Sequence, residues 1–135
     1  MVLMSTGDGG RFEEIGAYVR AKRIGPFVYV AGTTAVEPSG RLHAPGNTYA
    51  QTLYAIARIE QALNSVHAEL RHVTRTRAFL ADMSAAGEYV RAHGEAFADI
   101  RPVATGVGAE LATPGLMVEI EVDALVHGAN GEIAM

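Results

Sequence analysis

The chain has 135 residues, 49% of them hydrophobic, which is enough for one ordinary globular domain with a buried core. A net charge of −4 and the absence of any run of Lys or Arg disfavour nucleic acid as a partner. With no cysteine there is no disulfide, thiolate nucleophile or zinc–sulfur site, and no apolar stretch approaches membrane-spanning length, so a soluble, cytoplasmic protein is expected.

Taken in chain order, residues 1–10 are Gly-rich and read as a flexible N-terminal tail. Tyr18 to Ile24 and Phe27 to Ala31 are short β-type runs split by Gly25-Pro26, a candidate hairpin. Pro38, Ser39, Gly40, Pro45 and Gly46 mark a loop that carries the chain to Asn47. From Thr48 to Leu70, apolar residues at Tyr49, Leu53, Ile56, Ile59, Leu63, Val66 and Leu70 have the three-and-four spacing of an amphipathic helix, with Asn47 or Thr48 as its cap. Val73 to Leu80 reads as a strand; Asp82 or Ser84 then caps a second helix running to about Ala98. Ala104 to Leu111 and Met117 to Val126 supply two further strands around Thr113-Pro114-Gly115, and residues 128–135 read as a C-terminal tail.

This order predicts an α+β fold, a mixed β-sheet with two helices packed on one face. Two helices shield only one side of a sheet, so the other side is expected to be polar or buried against further copies of the chain.

The last strand carries the most informative pattern. Val118, Ile120, Val122 and Ala124 fall on one face, and Glu119, Glu121 and Asp123 on the other. Three like charges in a row repel, which points to water, cations or a functional pocket beside them. Arg71, Arg75 and Arg77 share strand parity and could form a basic stripe; with no interleaved aromatics, it reads as a solvated or intersubunit face rather than an RNA surface. The five histidines show neither ligand spacing on one helix face nor a partner cysteine, so no metal site is expected, and His93 reads as a packing or interface residue. No serine has a nucleophile-elbow context.

These residues together resemble the reactive intermediate deaminase family (RidA/YjgF). The resemblance rests on Tyr18 with Ala21, on Val28-Tyr29-Val30-Ala31-Gly32-Thr33, and on Gly46 with Gln51. It continues through Phe79-Leu80-Ala81-Asp82-Met83 and Arg101-Pro102 to Val118-Glu119-Ile120-Glu121. It implies a single domain over 11–127, a chorismate-mutase-like fold, and a homotrimer with sites in the clefts between subunits. In the enamine and imine hydrolases of that family, the first Glu of the last strand positions the attacking water, which makes Glu119 the catalytic candidate. Tyr18, Ala31 and Gly32 fall at substrate-binding positions. The family's carboxylate-binding arginine falls on Ala104, and neither Ala104 nor its neighbour Thr105 can reproduce a two-pronged guanidinium contact. Arg91, in the second helix, is the natural substitute, with Arg20 a weaker one; Val19 and Ala31 also depart from the serines common at those positions.

The resemblance implies acid–base chemistry on a small-molecule imine, enamine or similarly polarised compound other than 2-aminoacrylate, with no organic cofactor or metal. The alternatives are a non-catalytic metabolite-binding trimer and, less favoured by the charge, a ribonuclease or translation inhibitor.

Overall fold

A computed structural model describes residues 3–133. Six strands form one sheet in the order β1-β2-β3-β6-β4-β5: β1 (Leu3–Thr6), β2 (Ala21–Ile24), β3 (Phe27–Thr34), β4 (Val73–Leu80), β5 (Val103–Gly108) and β6 (Val118–Leu125). Only β4 and β5 are parallel, so the sheet is mixed. The helices are α1 (Arg11–Gly16), α2 (Thr48–Ser65) and α3 (Ala86–Ala96).

The period-two pattern of β6 decides the layering. Val118, Ile120, Val122 and Ala124 are buried and share a core with Val28 and Val30 of β3, Ala78 and Leu80 of β4, Ile56, Ile59 and Leu63 of α2, and Tyr89 of α3. α2 and α3 therefore cover one face of the sheet, as the spacing of their apolar residues requires. The opposite face leaves Ile24, Phe27, Tyr29, Val103 and Val107 exposed.

Several boundaries differ from the sequence reading. The start is not wholly a tail: Leu3 to Thr6 pair antiparallel with Ile24 to Ala21, and α1 follows, a third helix with no buried residue. At the other end His127 pairs with Ile133, closing a turn within the expected C-terminal tail; residues 1–2 and 134–135 lie outside the described residues. α2 stops at Ser65 rather than Leu70, because His67 takes a left-handed conformation (φ 59°) and Ala68 N–H closes onto the Leu63 carbonyl. Asp82 caps a short 3₁₀ turn through Ser84 N–H, so α3 starts at Ala86.

The loop before α2 is tied down by Gln51. Its fully buried amide donates to the carbonyls of Ala44 (3.1 Å) and Gly115 (2.8 Å) and accepts from Met117 N–H (2.8 Å).

Candidate functional site

The acidic row on the outer face of β6 separates once its neighbours are placed. Arg77 lies opposite Glu121 and reaches it at 3.8 Å, and its other terminal nitrogen is 3.2 Å from Asp123, which Arg75 also approaches at 3.9 Å. Arg75 and Arg77 thus neutralise two of the three carboxylates, whereas Arg71, expected in the same stripe, lies in the turn before β4 and pairs with Glu69 at 3.7 Å. Glu119 stands apart: its strand neighbours are Thr34 and Phe79, and among the described residues its carboxylate takes part in no ion pair.

Glu119 folds over Gly32. A Cβ built on Gly32 would lie 3.0 Å from the Glu119 Cδ and 3.2 Å from its Cγ, closer than packed carbons sit. A bulge creates this contact. Between Val30 and Thr33, β3 advances three residues while β6 advances two, from Val122 to Ile120, which takes Ala31 and Gly32 out of register.

The carbonyls of these two residues are held by Arg20. Its Nη2 donates to Gly32 O (2.8 Å), Ala31 O (3.3 Å) and Thr33 Oγ1 (2.7 Å). Arg58 of α2 donates from Nη1 to Thr34 O (2.6 Å). Asp8 lies between the two guanidiniums, 2.9 Å from Arg58 Nη2 and 3.9 Å from Arg20 Nε. Hydrogen bonding with the Glu13 side chain, then with Gly10 N–H, and the charges of Arg20 and Arg58 hold the Asp8 carboxyl below the ordinary carboxylate range, against its partial burial.

Tyr18, exposed at the rim, joins Gly32, Thr34, Arg20 and Arg58 around a cleft of about 270 Å³. Of the expected site residues, Tyr18 and Gly32 line this cleft with Arg20, Ala31 precedes Gly32 in the bulge, and Glu119 meets Gly32 without lining the cleft itself. The others lie elsewhere within the protomer. Arg91 sits on the helical layer, paired with Glu88 at 2.8 Å and stacked 3.7 Å over the Tyr49 ring, on the far side of the sheet from Glu119. Ala104 lies opposite Thr76, which is buried on the helix side, and so turns away from Glu119. Thr105 lies opposite Arg77 and shares the outer face with Glu119, but two strands away, roughly 10 Å at ordinary strand spacing.

Asp8 and Arg58 were missed from sequence. The only local signal was Arg58 within the otherwise amphipathic α2; its partner is 50 residues distant. His93 serves packing: Nε2 meets Thr76 Oγ1 at 2.8 Å, its ring lies 4.7 Å from that of Phe97, and burial lowers its pKa. Among the described residues no His, Asp or Glu grouping could hold a metal ion, and no helix is long and apolar enough to cross a membrane.

A small α+β protein with an unpaired carboxylate set over a β-bulge is the class that this geometry defines. The chain belongs to the Endoribonuclease L-PSP family, the YjgF/RidA group, whose description matches residues 9–126. An uncharacterized protein of Streptomyces coelicolor is 35% identical over 120 residues, covering 86% of this chain and 87% of its own. The crystal structure of a Mycobacterium tuberculosis member of the YjgF/YER057c/UK114 family is similar with a TM-score of 0.83 and 42% identity, covering 93% of this chain and all of that one. The Escherichia coli YjgF gene product shares the fold at a TM-score of 0.75 and 18% identity, covering 90% of this chain and 93% of its own.

Proposed function

We propose that the protein hydrolyses a small imine or enamine, or a similarly polarised C=N compound, and that Glu119 positions and deprotonates the attacking water. The observation that carries this reading is the Glu119 carboxylate, without an ion pair among the described residues and set over Gly32, which also lines the cleft that Tyr18 rims. A carboxylate free of cationic partners keeps its lone pairs for water. As the water oxygen bonds the imine carbon, Glu119 takes the water proton, and the electron pair of the C=N bond moves to nitrogen. That nitrogen takes a proton from solvent to give the carbinolamine; Glu119 then returns its proton to the amine nitrogen, and ammonia leaves as the hydroxyl oxygen gives up its proton to solvent and forms the carbonyl. The chemistry requires neither metal nor organic cofactor.

A homotrimer fits this reading. The outer sheet face exposes Ile24, Phe27, Tyr29, Val103 and Val107, an apolar surface that a neighbouring subunit would bury while closing the cleft over Glu119.

A second reading, a metabolite-binding trimer without turnover, is favoured by Ala104, since the family's carboxylate-binding arginine is missing there. The test is to generate imines in situ from amino acids and to follow carbonyl release over the background rate. The wild-type protein should accelerate release, and Glu119→Gln should lower the rate at least about 100-fold with the oligomer intact. Full activity in the variant would remove Glu119 from the reaction; tight metabolite binding without acceleration would establish the second reading.

A further inference from the structure

We propose that Arg20 and Arg58 form a binding site for a small carboxylate, and that Asp8 is its built-in competitor, occupying the site until a free carboxylate displaces it. Both guanidiniums converge on a single oxygen, Asp8 Oδ2, at 2.9 Å from Arg58 and 3.9 Å from Arg20. They differ from their partner in how firmly they are held. The Arg20 and Arg58 side chains are only 15% and 23% exposed and are anchored by the carbonyls of Gly32 and Thr34, whereas Asp8 is 46% exposed on the segment between β1 and α1. The cationic side of the site is therefore preorganised, and the anionic side is replaceable.

Exchange is energetically accessible. An ion pair this exposed on one side is weakly held, and a free carboxylate would make the same charge-assisted bonds. A cavity of about 190 Å³ adjoins the pair, where Gln61 and Ser65 of α2 offer polar groups to the rest of a ligand. Carboxylate fits better than phosphate because Glu13 Oε2 already accepts from the N–H groups of Asp8 (3.2 Å) and Gly10 (3.1 Å), which leaves a ligand the two guanidiniums and removes those backbone donors from a third oxygen.

The location gives the site a role. Arg20 donates to the carbonyl of Gly32, the residue over which Glu119 folds, so the arginine site on the helix side and the proposed reacting group on the outer face hold the same bulge from opposite sides. A carboxylate bound by Arg20 and Arg58 would therefore act on Glu119 through the Gly32 bulge and not by contact; this link to turnover rests on the imine-hydrolase reading, whereas the binding site itself does not.

Pyruvate and inorganic phosphate serve as probes, titrated into ¹⁵N-labelled protein with the amide signals of Gly32, Thr34 and Gly10 as reporters. Asp8→Asn should bind pyruvate about three- to five-fold more tightly than wild type, with shifts centred on those amides and phosphate binding more weakly. In the Asp8→Asn background, Arg58→Lys, which keeps the charge and loses the fork, should weaken pyruvate several-fold. Equal affinity in wild type and Asp8→Asn, no effect of Arg58→Lys, or a preference for phosphate would each overturn the proposal. Tightening by Asp8→Asn in a protein that hydrolyses no imine would sink the reaction and leave the site standing.

Discussion

Glu119 lies so closely over Gly32 that the two positions cannot be varied independently. A Cβ at 32 would sit 3.0 Å from the Glu119 Cδ, and the obstructing atoms belong to the free end of a flexible side chain rather than to backbone. Gly32→Ala should therefore cost little stability and should move the carboxylate. The expected result is a melting temperature within a few degrees of wild type, together with at least a ten-fold loss of imine hydrolysis. A large fall in melting temperature with turnover per folded molecule unchanged would show that Gly32 serves the fold and not the site.

The partition of the acidic row leads to a second expectation, about Arg77. This side chain holds Asp123 and Glu121 at 3.2 and 3.8 Å on a face where all are partly exposed. In an isolated protomer, Arg77→Ala should cost less than about 1 kcal/mol, and the cost should shrink in high salt. If that face is buried between subunits, the same change strands two carboxylates at the contact and should convert the trimer to monomer in sedimentation. Sedimentation and urea denaturation at two salt concentrations separate the two results.

What could be read from the sequence follows the range of the interactions. The alternation of β6 and the spacing in α2 are local patterns, and they correctly placed Val118, Ile120 and Val122 against Ile56, Ile59 and Leu63. The unequal status of the three carboxylates was not local, because it depends on which strand lies beside β6; the basic stripe of β4 and the acidic row of β6 were visible separately, and only their register joins them. β1 escaped notice since Leu3 to Thr6 has no alternation and is stabilised by pairing with β2. Arg91 shows the converse: the local pattern places it in α3, but a helix packed on one face of a sheet cannot deliver its outer side chains to the other face within the same chain.

Histidine burial predicts a pH dependence. His93 is held below the ordinary histidine value of 6.5 by desolvation, and His72 likewise, by desolvation and then by Arg71. The unfolded chain binds protons at these positions before the folded chain does, so stability falls as pH drops below about 6.5 and levels off once the folded-state values are passed. Asp8 and Asp82, both lowered from 3.8, lose their contribution only at more acidic pH, which keeps the windows apart. Melting curves between pH 7.5 and 5 should show the decline, and His93→Gln should flatten part of it. An unchanged slope would exclude His93 as a source.

Gln51 gives the sharpest stability prediction, since all three of its bonds are made inside the protein. Its Nε2 serves the carbonyls of Ala44 and Gly115, and its Oε1 takes Met117 N–H, with no part of the residue exposed. Truncation to Ala leaves Met117 N–H without a partner, while the carbonyls of Ala44 and Gly115 keep the N–H groups of Asn47 (3.0 Å) and Gly46 (3.1 Å), so it should cost about 2 kcal/mol, several degrees in melting temperature for a chain of this length. Glu at this position is the stricter test. It keeps size and the acceptor for Met117 N–H, but places a carboxylate oxygen against two carbonyl oxygens, so Gln51→Glu should be at least as destabilising as Gln51→Ala at pH 7. Lowering the pH should recover part of that loss, because a protonated carboxyl can donate to one of the two carbonyls. A Gln51→Glu variant more stable than Gln51→Ala at pH 7 would mean that filling the space matters more than the direction of the hydrogen bonds.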